Sequence, residues 1–335
     1  MPTEGITMLR SRFSAAVWGS LIAGALALPG AAHAQTKKIG ISTIVEVPQL
    51  VETRDGIIAA LADRGFVVGK NLTIDYQNAN GNAPTQQQIA RKFVGDGVDL
   101  VVAITTPTAQ AMVSATKDIP IVFASVTDPL KAKLIDRFEK PGGNVTGVSD
   151  AAPIAEQLVL FSKIKPGLKR LGFLYNPGLD SSKATLDWIK EAAAKVGIII
   201  VEVAAPTSNE VVPAARKLVS QVDAIYVPND TTVVASLEAV IKIGEETRTP
   251  IFSGETRGVE RGTVASMGLN YTEIGRIAGD MSADVLGGKK IGEVDAVIAY
   301  KAKPKFVVVV NEGAGARMGT PVPAEVLAAA TRVVK

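Results

Sequence analysis

The chain has no cysteine and a single histidine, His33. No disulfide can staple it, and beyond residue 33 no thiolate or imidazole can serve as nucleophile, proton shuttle or zinc ligand. Ser-His-Asp catalysis is excluded with them. Aromatic residues are scarce at 5%, and 36 Lys and Arg against 33 Asp and Glu leave a net charge of only +3. So even a balance gives no basic excess to hold nucleic acid. Acids such as Asp99, Asp118 and Asp223 flank hydrophobic runs without clustering, so no calcium loop is evident. Carboxylate pairs, Ser-Lys pairs and simple binding survive these exclusions.

The first segment reads as an export address. Arg10 and Arg12 precede an apolar stretch, Ser14 to Leu28, which Pro29 and Gly30 interrupt before Ala32-His33-Ala34. This is the pattern of a signal peptide over residues 1–34, cleaved after Ala34 and directing the rest to the periplasm. The apolar stretch is shorter than the roughly 20 residues of a spanning helix. No cysteine follows it to carry a lipid, and the two arginines are not adjacent as a twin-arginine route requires. The remaining chain of roughly 300 residues exceeds one usual core, so two domains are expected.

Beyond the leader, short β-branched runs alternate with longer amphipathic stretches. Strands are predicted at 38–44, 71–77, 99–104 and 119–124, and helices at 49–64, 86–94, 108–116 and 130–138. Pro141-Gly142-Gly143-Asn144 punctuates the chain, and the rhythm restarts. In the second half, strands are predicted at 170–175, 198–203, 224–227, 250–252 and 263–266. Helices are predicted at 182–195, 210–220, 233–246 and 271–286, with Trp188 as a core residue, and a late strand at 306–310. The fold class is α/β: two doubly wound parallel-sheet lobes joined by a multi-strand hinge. The expected division is 35–149 plus about 271–303 for the N-terminal lobe, and 150–270 plus about 304–335 for the C-terminal lobe. Hinge segments are expected near 148–152, 269–271 and 302–305.

Ligands of such sheets bind beyond the carboxyl ends of the strands, where helix N-termini present free N–H groups. The residues following the predicted strands include Thr43, Glu46 and Gln49, then Thr105 and Thr106, then Ser125, Thr127 and Asp128. In the second half they are Asn176, Ser181, Ser182, Asn229, Asp230, Glu255, Asn270 and Tyr271. Hydroxyls, amides and single carboxylates without Lys or Arg suit a zwitterion or polyol better than a polyanion. Asp128 and Asp230 are the sharpest candidates for pairing an ammonium group. Each of these residues taken alone is also an ordinary helix cap. Tyr175, Tyr271 and Phe123 can stack on a flat ligand or simply pack in a core. Two nucleotide motifs fail: Met318 stands where a third glycine must follow Gly313 and Gly315, and the Pro141–Gly147 stretch lacks the Lys-Ser/Thr of a phosphate loop.

These loops, in this order, resemble one family. The matching stretches are Thr105-Thr106-Pro107-Thr108-Ala109-Gln110, Pro120-Ile121-Val122-Phe123 with Thr127-Asp128-Pro129, Lys140 to Ser149, Tyr175-Asn176-Pro177-Gly178 and Asp223 to Pro228. Val259-Glu260-Arg261-Gly262, Asn270-Tyr271 and Gly275-Arg276 complete the set. The chain is similar to substrate-binding proteins of ABC transporters typified by the tryptophan-binding TrpX group. That resemblance implies the type I periplasmic-binding-protein fold and a monomeric receptor that closes on a small molecule. It places contacts at Thr106, Asp128, Asn176, Asp230 and Asn270. The chain departs from the family's usual Glu-His-Pro at Val47, from a usual Glu at Leu179, and from a usual Asp at Glu255.

The resemblance implies a partner, the permease of an ABC importer in the inner membrane. It implies no cofactor, metal, nucleic acid or catalysis, and a ligand that is an amino acid, the aromatic ones included, or a related small acid. A periplasmic sensor for a signalling partner uses the same closure, and a carboxylate-based hydrolase is allowed by composition. A transcription repressor of the same fold needs a DNA-reading module where this chain has its leader.

Overall fold

The computed structural model describes residues 36–302 and 306–335. The expected leader and part of the third hinge segment lie outside them. In the first half, β1 (Lys37–Thr43), α1 (Pro48–Asp63), β2 (Leu72–Asn78), α2 (Ala83–Gly95), β3 (Leu100–Ile104), α3 (Thr106–Ala115), β4 (Ile121–Val126) and β5 (Val145–Ser149) follow in order. In the second, α4 (Ile154–Ile164), β6 (Arg170–Tyr175), α5 (Asp180–Lys195), β7 (Ile199–Ala204), α6 (Ser208–Val219), β8 (Ala224–Val227), α7 (Thr231–Val234), α8 (Leu237–Thr247), β9 (Ile251–Ser253), α9 (Arg257–Arg261) and β10 (Ala265–Gly268) do the same. The chain ends with α10 (Tyr271–Leu286), β11 (Val297–Ile298), α11 (Ala299–Ala302), β12 (Val307–Asn311), α12 (Glu312–Arg317), α13 (Ala324–Ala329) and β13 (Arg332–Val334).

These strands form two sheets. The first has six strands in the order β11-β5-β4-β3-β1-β2, and all its pairings are parallel. The second has seven, ordered β13-β12-β10-β9-β8-β6-β7, parallel except where β12 runs against β10. Strands such as β3, β4 and β8 are buried along their whole length, as a sheet covered on both faces requires.

The chain passes from the first sheet to the second between β5 and α4. It returns after β10, because α10 lies along α1 of the first lobe. Glycines make that approach possible: a Cβ at Gly275 would lie 2.1 Å from the Thr53 carbonyl oxygen, and one at Gly56 would lie 2.3 Å from that of Thr272. The seam buries Ile57, Leu61, Ile274 and Ala278, and each such Ile or Leu contributes about 1.5–3 kcal/mol. It also anchors the first residue of α10, Tyr271, at the junction of the two lobes.

Three expectations need correction. No helix forms over 130–138: the segment runs through turns, Lys133 adopts a φ of 56°, and the Leu134 amide reaches back to the Pro129 carbonyl. The helix expected over 233–246 is two helices. Asp230 caps the first, and the chain leaves helical geometry at Ser236 before α8 restarts. The punctuated segment after Pro141 contains a strand, β5, with Gly147 inside it. A Cβ there would fall 2.1 Å from the Phe123 carbonyl oxygen, so the glycine that resembles a breaker is needed for close strand packing.

Candidate functional site

The carboxyl ends of both sheets face one partly open cleft, whose enclosed space is only about 30 Å³. The first lobe contributes the start of α1 at Val47, Gln49 and Leu50, the β3–α3 turn at Thr105, Thr106 and Pro107, and Ser125 with Thr127 at the end of β4. The second contributes Ser181 of α5 and the start of α7 at Asn229, Asp230, Thr231 and Val234. Asp150 and Tyr271, from two of the lobe-crossing segments, close the floor.

The first-lobe wall carries backbone strain. Thr105 has φ 86° and ψ 156°, a region that only glycine enters readily, and Ser125 has φ 52°. Residues held this way cost roughly 1–3 kcal/mol each and persist only when their surroundings force them. The surroundings do so here. The Thr105 amide donates to the Ala124 carbonyl at 2.9 Å, and the Thr105 and Thr108 hydroxyls lie 3.1 Å apart. The Ser125 hydroxyl sits 3.0 Å from that of Thr53. The β4–β5 register also shifts between Phe123 and Val126, which aims Ser125 and Thr127 at the cavity. No described side chain caps α3, so its first-turn N–H groups remain available to an anion.

The second-lobe wall is organised around Asp230, which is fully buried. Its Oδ2 accepts from the Asn176 amide and the Ser182 hydroxyl, each at 2.6 Å. Its Oδ1 accepts from the amides of Thr232 and Val233 at 2.9 and 3.1 Å. Burial pushes this carboxyl above its usual range, against those four donors. Four bonds occupy all the acceptor sites a carboxylate has. Asp230 therefore holds the wall together and has nothing left for an ammonium group.

Asp150 is different. It follows β5 directly and is 5% exposed. Its Oδ2 accepts from Asn229 Nδ2 and the Tyr271 hydroxyl, both at 3.2 Å, whereas its Oδ1 has no hydrogen bond of regular geometry from a described residue, although the Thr127 side chain lies close enough to the carboxyl to favour its charge. Burial pushes the Asp150 carboxyl up, opposed by Thr127, Tyr271 and Asn229. The Tyr271 hydroxyl is pushed well above its usual value by burial and by the charge of Asp150, so it remains a donor. Two further buried acceptors on the cavity wall, Gln49 Oε1 and Asn229 Oδ1, also lack a described donor. A buried unpaired acceptor costs about 1–3 kcal/mol, so this wall is complementary to a molecule that presents N–H or O–H groups.

The candidates read from the sequence divide accordingly. Thr105, Thr106, Thr127, Ser181, Asp230 and Tyr271 line the cavity. Asn176 and Ser182 stand behind it, on Asp230. Thr43 is buried with its hydroxyl on the Val45 carbonyl, and Asn270 caps α10. Asp128 lies outside the cavity wall: its Oδ1 caps the amides of Leu130 and Lys131, and it faces a separate cavity with Trp188 and Tyr300. Glu255 is buried away from the wall, its Oε2 on the Arg257 amide at 2.6 Å, and burial lifts its carboxyl to about 7. Tyr175 donates to Glu202, and Phe123 packs in the first core. Asp150 is the residue that strand-end reading misses, because the strand before it contains glycine and follows a Pro-Gly-Gly break.

Outside the cavity, three polar pairs among the described residues cross between the lobes. Gln110 of α3 donates to Asp180 of α5 at 2.8 Å. Lys131 pairs with Asp187, and Arg257 of α9 pairs with Glu52 of α1.

Residues 38–334 match the family model described as ABC transporter substrate binding protein. The chain belongs to that family. A tyrosine-binding protein of Clostridioides difficile (strain R20291) is 41% identical over 276 residues, 82% of this chain and 79% of that one. A structure from Streptococcus pneumonia in complex with L-Trp is 34% identical. It superposes with a TM-score of 0.85, covering 90% of this chain and all of the other. The ligand-free, open structure of CD0873 from Clostridium difficile, a substrate-binding protein with adhesive properties, is 39% identical. Its TM-score is 0.68, covering 89% of this chain and 99% of that one. The sequence is nearer the open protein, yet the shape is nearer the liganded one. Rotation between two rigid lobes lowers a superposition score without regard to identity, so the lobes of this chain are arranged more as in the L-Trp complex than as in the open structure. The fold is that of type I periplasmic binding proteins, the family binds small molecules for ABC transporters, and it is not an enzyme family.

Proposed function

We propose that this protein is a monomeric periplasmic receptor that delivers a free amino acid with an aromatic side chain to the permease of an ABC importer, without catalysis. The observation that carries this reading is the unpartnered, buried Oδ1 of Asp150 on the cavity wall. An α-ammonium group supplies the missing donor and a compensating charge. The uncapped N-terminus of α3 suits the α-carboxylate. Val47, Leu50, Pro107 and Val234 suit an apolar side chain. The L-Trp complex and the tyrosine-binding relative support the same ligand class. A hydrolase needs two available carboxylates, and Asp230 has none of its acceptor capacity left. The residue 1–34 leader pattern supports export, and among the described residues no helix is long and apolar enough to cross a membrane.

Closure works by differential affinity. Asp150, Thr106 and Asn229 surround one ligand only when the lobes meet, so the ligand shifts the open–closed balance by the free energy of those added contacts. A thermal-shift screen of residues 35–335 with tryptophan, tyrosine, phenylalanine and control sugars tests the proposal. A ligand at 1,000 times its Kd adds about 4 kcal/mol, which raises the melting temperature by several degrees. A shift with sugars and none with any amino acid overturns it.

A further inference from the structure

We infer that Gln49 is a specificity-determining residue, whose amide oxygen receives a hydrogen-bond donor on the ligand's side chain. This rests on the amino-acid reading above. Gln49 is the second residue of α1 and is 6% exposed, yet its Oε1 has no donor among the described residues. Its neighbours Val47 and Leu50 are apolar cavity-lining residues, and Pro107 and Val234 complete the apolar part of the wall. The α-ammonium has its acceptor elsewhere, in the Asp150 carboxyl beside the Asn229–Tyr271 pair.

A carboxamide in an apolar wall is poorly matched to a purely hydrocarbon side chain. Closing on a plain phenyl group leaves the Gln49 oxygen without water and without a partner. Closing on an indole N–H or a phenol O–H satisfies it. A site built around such an acceptor rejects the analogue lacking the donor far more strongly than an apolar pocket rejects a missing methylene. The side chain selected is therefore aromatic and ends in an N–H or O–H.

The test is calorimetric titration of tryptophan, tyrosine and phenylalanine into the wild type, Gln49→Leu and Gln49→Glu. The wild type is expected to bind the better of tryptophan and tyrosine at least tenfold more tightly than phenylalanine. Gln49→Leu should bring that ratio to within about threefold of one, while Gln49→Glu, which keeps an acceptor, should preserve the preference. Equal wild-type affinities, or a ratio unchanged in Gln49→Leu, overturn the role of Gln49 and leave the amino-acid reading standing. Binding of none of the three overturns the amino-acid reading itself, and the inference with it.

Discussion

The two walls of the cleft reach the same cavity by opposite means. The second-lobe wall is self-sufficient: Asp230 takes four internal hydrogen bonds and ties the β6 and β8 loops to α5 and α7. The first-lobe wall is held in unfavourable backbone geometry at Thr105 and Ser125 and leaves Gln49 Oε1 unpartnered. Asp150, in the segment that crosses between the lobes, combines both characters, with one oxygen satisfied and the other not. Two buried carboxylates in one cavity thus have different work. What separates them is unused acceptor capacity, which burial alone does not reveal.

Exchanging each carboxylate for a methyl group breaks or establishes that comparison most directly. Asp150→Ala is expected to weaken tryptophan binding by a hundredfold or more in calorimetry, because an ammonium would be buried without its counter-charge. Its melting temperature should move by only a few degrees. Asp230→Ala strands four donors and should lower unfolding stability by about 3 kcal/mol or more in urea titrations. Any loss of affinity there should follow the loss of structure. The reverse pattern, with Asp230 controlling affinity in a stable protein, would return the ligand's ammonium to the second lobe.

That distinction also marks how far the sequence is legible. Helix α10 is readable to the residue, because Tyr271 to Leu286 carries an unbroken amphipathic pattern closed by Gly287 and Gly288. The doubly wound rhythm is equally plain, since fully buried parallel strands are unbroken β-branched runs. Strand β5 is hidden because Gly147 and the Pro-Gly-Gly break before it read as a turn, and with β5 goes Asp150, the first residue beyond it. Helix α4 escapes as well: Ile154, Leu158, Phe161 and Ile164 bury one face, but Val159 is exposed among them, which blurs the stripe. For Asp128 and Asp230, residue type and position after a strand favour an ammonium partner, but the structure places both carboxylates on the amides of the turns that follow them. The choice between ligand and cap depends on hydrogen-bond partners as distant as Asn176 and Ser182.

A buried acid away from the wall sharpens the comparison further. Glu255 has one oxygen on the Arg257 amide, the other has no described partner, and burial raises its carboxyl from 4.5 to about 7. The native state therefore holds this proton more tightly than the unfolded chain does. Its contribution to stability is present in full below about pH 4.5 and is lost as pH rises through about 7. Glu255→Gln removes the titration. The variant should gain roughly 2–3 kcal/mol over the wild type between pH 5 and pH 8 in urea unfolding. An unchanged difference across that range would mean that the carboxylate is solvated or paired in solution.

The smallest expected effect concerns how the walls are kept together. Lys131–Asp187 and Arg257–Glu52 cross between the lobes at partly exposed positions, and none of these four residues lines the ligand cavity. Pairs that span the lobes break when the lobes separate, so they favour the closed arrangement without touching the ligand. Exposed pairs contribute about 0.2–1 kcal/mol each and are screened by salt. The double variant Lys131→Ala, Arg257→Ala should therefore bind tryptophan about threefold more weakly at low ionic strength and match the wild type near 1 M salt. A deficit that persists at high salt would show that these residues shape the cavity itself. In that case the first-lobe wall would owe its geometry to the second, and the two walls would not be independently built.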